Sequence, residues 1–294
     1  MSSLRIWLDA SRPKTLTAAI VPVMTGIALA VRNDLFRADT AVAALLCALL
    51  IQIGTNFAND YFDAQKGADT DKRVGFQRAT ASGLVSPNAM KRAMILTMLA
   101  AFIGGLYLVW TGGLIVLWIG LLSILFGILY TGGPYPLGYN GLGDLFVFLF
   151  FGIVAVSATY YVQALEWSTD SFLLAVPVGA LAVNILVINN LRDVEEDRVT
   201  GKRTLGVMFG ERALKAEYIL MNLLTIPPLF ILHQWHGYNA WIFLPLLSFL
   251  PFGLLWRQVL FHKEKSHLNQ TLERTAQVMV LFGILLCTGL ILSV

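Results

Sequence analysis

Two segments of this chain carry side chains whose types and spacing suit metal and anion chemistry. In Asn56-Phe-Ala-Asn59-Asp60-Tyr-Phe-Asp63 the polar positions recur three and four residues apart, which places Asn56, Asn59, Asp60 and Asp63 on one face of a helix end. Asn189-Asn190-Leu-Arg-Asp193-Val-Glu-Glu-Asp197 repeats the pattern, with Asn190, Asp193 and Asp197 in line and Asn189 beside Asp193. Ten of the eighteen acidic residues, and twelve of the twenty-one basic ones, fall in the two regions that these motifs open. Acids and bases concentrated together suit a site that takes both a cation and an anion. Hard oxygen ligands without a His or Cys cluster favour Mg²⁺ over zinc, because Mg²⁺ is satisfied by one or two carboxylates together with phosphate oxygens and water. Arg73, Arg78, Lys202 and Arg203 are then expected to hold phosphate, the arginines by bidentate contact. Either acidic run alone reads equally well as a solvated helix end. Its recurrence after a second apolar segment is what points to a site.

The elements that must position these groups lie in a bilayer. The chain is 57% hydrophobic and 13% charged, with a mean hydropathy of +0.70, against the roughly 25% charged residues of an average soluble domain. Apolar runs fall near residues 15–31, 41–58, 93–110, 114–130, 143–164, 171–189, 218–233, 239–256 and 276–293. A helix needs about 20 residues to cross the hydrocarbon core, so each run is expected to be a span. The runs lack the two-residue alternation of barrel strands, and backbone amides facing lipid must be paired, so the expected fold is an all-α bundle of nine transmembrane helices in one domain, residues 1–294. Nineteen of the twenty-one Lys and Arg residues fall on one side of that topology and only Arg32 and Arg37 on the other. The positive-inside rule then puts the amino terminus and both acidic motifs in the cytoplasm and the carboxyl terminus outside. Met1–Lys14 reads as a polar cap, not a secretory leader. Cys47 and Cys287 sit inside spans and are expected to pack as small hydrophobes without a disulfide. His233, His236, His262 and His267 lie apart from the motifs and read as polar loop groups. The net charge of +3 reflects topology and implies no nucleic-acid partner.

The paired motifs resemble those of the UbiA superfamily of intramembrane aromatic prenyltransferases, whose signatures read N-D-x-x-D-x-x-x-D and D-x-x-x-D. Here they stand as Asn59-Asp60-x-x-Asp63 and Asp193-x-x-x-Asp197. The third acid of the first signature is replaced by Gly67, and Asp69 follows two residues later. The run Asn59-Asp-Tyr-Phe-Asp-Ala-Gln-Lys-Gly-Ala-Asp69 is most similar to the branch of that superfamily that prenylates 1,4-dihydroxy-2-naphthoate. Arg12-Pro-Lys-Thr-Leu16, Tyr130-Thr-Gly-Gly-Pro134 through Gly141-Leu-Gly-Asp144, and Gly201-Lys-Arg-Thr-Leu205 agree with it. Some relatives carry a Lys soon after the Tyr of the loop at 130, and this chain does not.

The resemblance implies a helical bundle around a central cavity, in a bacterial cytoplasmic membrane, with the site facing the cytoplasm. It implies that Asp60, Asp63, Asp193 and Asp197, with Asp69 as a further candidate, hold Mg²⁺ against a polyprenyl diphosphate. Asn56, Asn59, Asn190, Arg73, Arg78, Tyr130, Asp144, Lys202 and Arg203 would contact substrate. The implied reaction transfers the polyprenyl group to 1,4-dihydroxy-2-naphthoate with loss of carbon dioxide, giving a demethylmenaquinone, in a closed apolar chamber that excludes water. Phe148, Phe151, Tyr160 and Tyr161 are expected to line that chamber and stabilise positive charge through their ring faces. Lipid and the two substrates are the only partners implied. Two other readings remain open: a relative that uses 4-hydroxybenzoate or another aromatic acceptor, and a cation transporter with duplicated polar segments.

Overall fold

The structure, a computed structural model, describes residues 3–67, 75, 78–262 and 264–293. Asp69 and Arg73 lie outside the described residues. The fold is helical: α1 (Ser3–Ser11), α2 (Thr17–Arg32), α3 (Ala38–Gln65), α4 (Pro87–Gly112), α5 (Leu114–Leu129), α6 (Gly143–Ala164), α7 (Thr169–Val199), α8 (Glu211–Trp235), α9 (Ala240–Leu260) and α10 (His267–Leu292), with a one-turn helix at Leu205–Phe209. Seven described helices, α3, α4 and α6 to α10, are long and apolar enough to cross a membrane. The stretch Leu4–Thr15 and α2, bent by 53° at the break between Thr15 and Thr17, make an eighth if counted as one broken span. α5, at 16 residues, is the shorter apolar helix, below the roughly 20 residues of a perpendicular crossing. The chain is therefore a multi-pass membrane protein, with seven or eight such spans among the described residues. Nine helical stretches coincide with the nine apolar runs, but two of them fall short of that length test taken singly.

Local signals set the helix ends. The Ser86 hydroxyl caps α4 by accepting the Ala89 N–H at 3.3 Å, with Pro87 at the first position, and the Ser168 hydroxyl caps α7 through the Asp170 N–H at 3.2 Å. Gly113, at φ 79°, ends α4 and starts α5, a turn for which glycine has no Cβ penalty. The helices that end in the acidic motifs are the two longest, α3 with 28 residues and α7 with 31. At about 1.5 Å per residue they run about 42 and 46 Å, longer than the roughly 30 Å of hydrocarbon.

α7 forms the axis of the bundle, with most of its apolar length buried against α2, α6, α8 and α10. α6 carries a π-helical stretch, Phe148–Val154, where it meets α7. There Gly152 faces Gly179 so closely that a Cβ on residue 152 would lie 2.8 Å from the Ala175 carbonyl oxygen and the Gly179 Cα. At the far end of the bundle the Arg32 guanidinium stacks 3.8 Å over the Tyr238 ring, Tyr238 donates to Asp170 at 2.7 Å, and His236 pairs with Asp170 at 2.6 Å. That network ties α2, α7 and the α8–α9 turn together, and it accounts for His233 too, whose ring bonds the Tyr238 carbonyl at 2.7 Å. Cys47 and Cys287 are free thiols.

Candidate active site at the ends of α3 and α7

A cavity of about 400 Å³ lies between α2 to α7. One end is polar, lined by the terminal turns of α3 and α7, and the rest is apolar. Lys202 joins the two acidic motifs: its Nζ stands 3.8 Å from Asp63 Oδ1 and 3.7 Å from Asp197 Oδ1. Asp63 is buried and heavily bonded, accepting the Tyr139 hydroxyl at 2.6 Å and pairing with Arg78 at 3.1 Å. Asp193 is gripped by Arg192 in a two-point contact, Nε to Oδ1 at 2.6 Å and a terminal nitrogen to Oδ2 at 2.7 Å. The Arg192 fork also reaches Asn189 at 2.6 Å and Asn269 of α10 at 2.9 Å.

The cavity brings together Asn56, Asn59, Asp63, Arg78, Tyr130, Asn190, Asp193, Asp197 and Lys202 of the residues singled out by sequence. It does not bring Asp60, Asp144 or Arg203. Asp60 turns aside and accepts two backbone N–H groups, Ala79 at 3.0 Å and Thr80 at 2.9 Å. Asp144 is buried behind Tyr130, next to Gly143, whose Cβ position is 3.0 Å from the Tyr130 hydroxyl. The Arg203 side chain is exposed, and its backbone N–H holds the Tyr139 carbonyl at 2.7 Å. Burial, with the Asp144, Asp63 and Asp197 carboxylates nearby, pushes the Tyr130 phenol far above its ordinary pKa. Tyr130 therefore keeps its O–H and lines the cavity as a hydrogen-bond donor.

Among the described residues no three acidic, His or Cys side chains form a ready-made metal cage. The donor set nevertheless fits Mg²⁺, which keeps several waters and takes one or two carboxylates with substrate phosphates. Asp63 and Asp197 already bracket one cation, the Lys202 ammonium.

Residues 19–278 match the UbiA prenyltransferase family. Over 100% of its length the chain is 38% identical to 97% of the 1,4-dihydroxy-2-naphthoate octaprenyltransferase of Escherichia coli (strain K12). The chain belongs to the UbiA prenyltransferase family. The enzyme of the same name from Haemophilus influenzae is 35% identical over 99% of this chain and 97% of its own. The structure of a UbiA homolog from Archaeoglobus fulgidus bound to DMAPP and Mg²⁺ superposes with a TM-score of 0.71 at 15% identity, covering 98% of this chain and 99% of that one. The UbiA fold is therefore the fold of this chain.

Within this UbiA-family cavity, several residues carry more of the site than their sequence context suggested. Tyr139 and Arg192 each hold a motif carboxylate. In sequence Arg192 reads only as one of the charges that set orientation, and no local pattern marks Tyr139 inside its Gly- and Pro-rich loop. The aromatic lining also differs from expectation. Of Phe148, Phe151, Tyr160 and Tyr161, only Phe151 lines the cavity. Tyr160 is buried and bonded by Asn33 at 3.0 Å, Tyr161 donates to the Gly112 carbonyl at 3.1 Å, and Phe148 packs into the core around α7. In their place Phe126, Phe146 and Phe150 form a cluster on the wall, with centroids 4.9, 5.5 and 6.1 Å apart. Phe126 precedes Tyr130 by one helical turn, so the cluster lies about 6 Å into the cavity from the Tyr130 level.

Proposed function

We propose that this chain transfers a polyprenyl group from polyprenyl diphosphate to 1,4-dihydroxy-2-naphthoate, with loss of carbon dioxide, in menaquinone biosynthesis. The observation that carries this reading is full-length relatedness to the naphthoate octaprenyltransferases, in a chain whose two acidic helix ends meet across one cavity. Asp63, Asp193 and Asp197 would hold Mg²⁺ against the diphosphate, and the bound ion would neutralise the charge that grows on the leaving group. Arg78 and Lys202 neutralise the remainder from either side of Asp63, and Tyr130 donates a hydrogen bond. Asn56, Asn59 and Asn190 complete the polar lining, and Asp144 supports Tyr130 from behind. The excess of Lys and Arg on the side of the amino terminus supports a site that faces the cytoplasm of a bacterial inner membrane.

In the reaction the allylic carbon–oxygen bond breaks and its electron pair leaves with the diphosphate. The new carbon–carbon bond forms at the ring carbon that bears the carboxylate, and carbon dioxide leaves with its bonding pair returned to the ring. Because carbon dioxide, not a proton, departs from that carbon, the chain needs no base there. What it must supply is a dry chamber and stabilisation of positive charge near the rim. Phe126, Phe146 and Phe150 stand at the right level for both. Replacing Phe146 and Phe150 together by Leu keeps the wall apolar but removes two ring faces, and turnover should fall about 10-fold, the scale of one or two cation–π contacts, with KM for the donor unchanged.

The reading is tested with the full-length protein in membranes supplied with polyprenyl diphosphate and either 1,4-dihydroxy-2-naphthoate or 4-hydroxybenzoate. The expected result is a product with the mass of the naphthoate plus the prenyl group less carbon dioxide. Chelation of divalent metal should abolish it and added Mg²⁺ should restore it. Prenylation of 4-hydroxybenzoate alone would overturn the acceptor assignment.

A further inference from the structure

We infer that Tyr139, in the loop between α5 and α6, is a positioning residue with two separable duties: its hydroxyl aims Asp63, and its ring face holds Lys202. The assignment rests on the prenyl-transfer reading above, in which Asp63 serves the metal ion and Lys202 the diphosphate. It concerns what keeps those two groups in register, since they come from segments far apart in the chain.

Asp63 divides its carboxylate between two partners. Oδ2 takes the Arg78 guanidinium at 3.1 Å, and Oδ1 accepts the Tyr139 hydroxyl at 2.6 Å. Oδ1 is also the oxygen that faces Lys202, 3.8 Å away. A short hydrogen bond from a hydroxyl to a carboxylate is among the stronger contacts an acid makes, so the phenol sets which side of Oδ1 stays turned to the cavity. Packing alone does not require that hydroxyl. A phenylalanine would fill nearly the same volume and leave Oδ1 without its donor.

Lys202 is held differently. Its Nζ lies 3.7 Å from Asp197 and 3.8 Å from Asp63, within Coulombic range but beyond hydrogen-bond length. Those attractions set a distance and no direction. The Tyr139 ring supplies a wall: the Lys202 ammonium stands 4.7 Å from its centroid, inside the roughly 6 Å over which a ring face attracts a cation. The backbone adds a further tie, because the Tyr139 carbonyl accepts the N–H of Arg203, the residue after Lys202, at 2.7 Å.

The ring is steadied from the α3 side. Lys66, one residue past α3, places its Nζ 4.5 Å from the same centroid and donates to the Thr131 carbonyl at 2.6 Å. The Thr131 hydroxyl in turn donates to Asn59. The loop is thereby bound to the end of α3 at Thr131 and again at Tyr139, and Tyr139 carries that position across to the segment after α7. Hydroxyl, ring and carbonyl each meet a different part of the rim.

The test reads binding, separately from turnover, on the full-length protein in detergent. Mn²⁺ is the metal probe, followed by its paramagnetic resonance signal, and inorganic diphosphate at saturating Mg²⁺ is titrated by calorimetry. Tyr139→Phe keeps the ring and removes the hydroxyl, so Mn²⁺ affinity should fall about 10-fold, the scale for losing a group that orients a metal ligand, with diphosphate affinity unchanged. Tyr139→Leu removes both and should in addition weaken diphosphate roughly 5-fold, the scale of one cation–π contact. In a Lys202→Met background the Leu exchange should leave diphosphate affinity where Lys202→Met alone puts it. An unmoved Mn²⁺ affinity in Tyr139→Phe overturns the assignment. So do equal losses of metal and diphosphate in Phe and Leu alike, which would make the role structural, and a full further loss in the Lys202→Met background, which would detach the ring from Lys202. Should Tyr139→Leu fail to accumulate, Tyr139→Phe decides alone, because a metal loss without a diphosphate loss already separates hydroxyl from ring. Failure of the unaltered protein to bind Mn²⁺ and diphosphate would sink the underlying reading, whereas normal binding that neither variant moves sinks this assignment alone.

Discussion

Asp63→Asn and Asp197→Asn should each lower turnover by at least about 10³-fold, or about 4 kcal/mol of transition-state stabilisation, while the protein still accumulates folded in membranes. The substitutions keep shape and remove charge. At Asp63 an Asn oxygen still accepts the Tyr139 hydroxyl, now 2.6 Å away, so the loop that carries Tyr139 keeps its anchor. What is lost is the negative charge that Lys202 and Arg78 now bracket, and with it one of the hard ligands that would hold the divalent ion. At Asp197 the same exchange leaves Lys202 with one carboxylate neighbour in place of two. Single-turnover measurements on quantified protein, with thermal melting of each variant as the folding control, decide the matter. Near-normal rates in both variants would remove these carboxylates from the metal site.

The parts of this architecture legible in sequence were those with a long repeat: apolar runs of span length, and a polar stripe that occurs twice. The span count is softer, because α2, beyond the bend after Thr15, and α5 are each 16 residues long, below the length at which hydropathy alone decides. The stripe itself misled in one place. At about 100° per residue, positions 59, 63, 56 and 60 spread over an arc of roughly 100° in that order, wide enough to face two different neighbours. Asn59, Asp63 and Asn56 face the cavity, and Asp60, at the edge of the arc, faces the segment at 79–80. The spacing of α7 gives Asn189, Asp193, Asp197 and Asn190 the same spread, yet there the whole arc borders the cavity. Nothing local in sequence separates the two cases, since the difference lies in the Ala79 and Thr80 N–H groups that meet Asp60. The aromatic wall was hidden for a related reason. Phe126 and Phe146 come from segments joined by an irregular loop, and the π-helical stretch of α6 shifts the face that Phe148 and Phe150 present relative to an ideal α-helix.

That geometry separates Asp60 from its neighbour in the motif and gives the second large effect. Asp60→Ala should lower kcat/KM about 30- to 100-fold through a higher KM for the prenyl diphosphate, while leaving the Mg²⁺ concentration for half-activity unchanged. The carboxylate accepts the Ala79 and Thr80 N–H groups at 3.0 and 2.9 Å inside the protein, where water cannot replace it. Removing it strands two buried donors, each worth about 1 to 3 kcal/mol. Arg78, whose guanidinium reaches Asp63, immediately precedes them in the chain. Freed from Asp60, Arg78 no longer meets the leaving group at a fixed place, so donor binding weakens first. Asp60→Asn retains one acceptor oxygen and should fall between Ala and the native residue, again with the metal requirement intact. Asp63→Asn makes the comparison sharp, because there the metal requirement itself should shift. A metal titration of all three variants at saturating acceptor separates the cases: a rise in the Mg²⁺ half-activity for Asp60→Asn matching that of Asp63→Asn would make Asp60 a metal ligand after all.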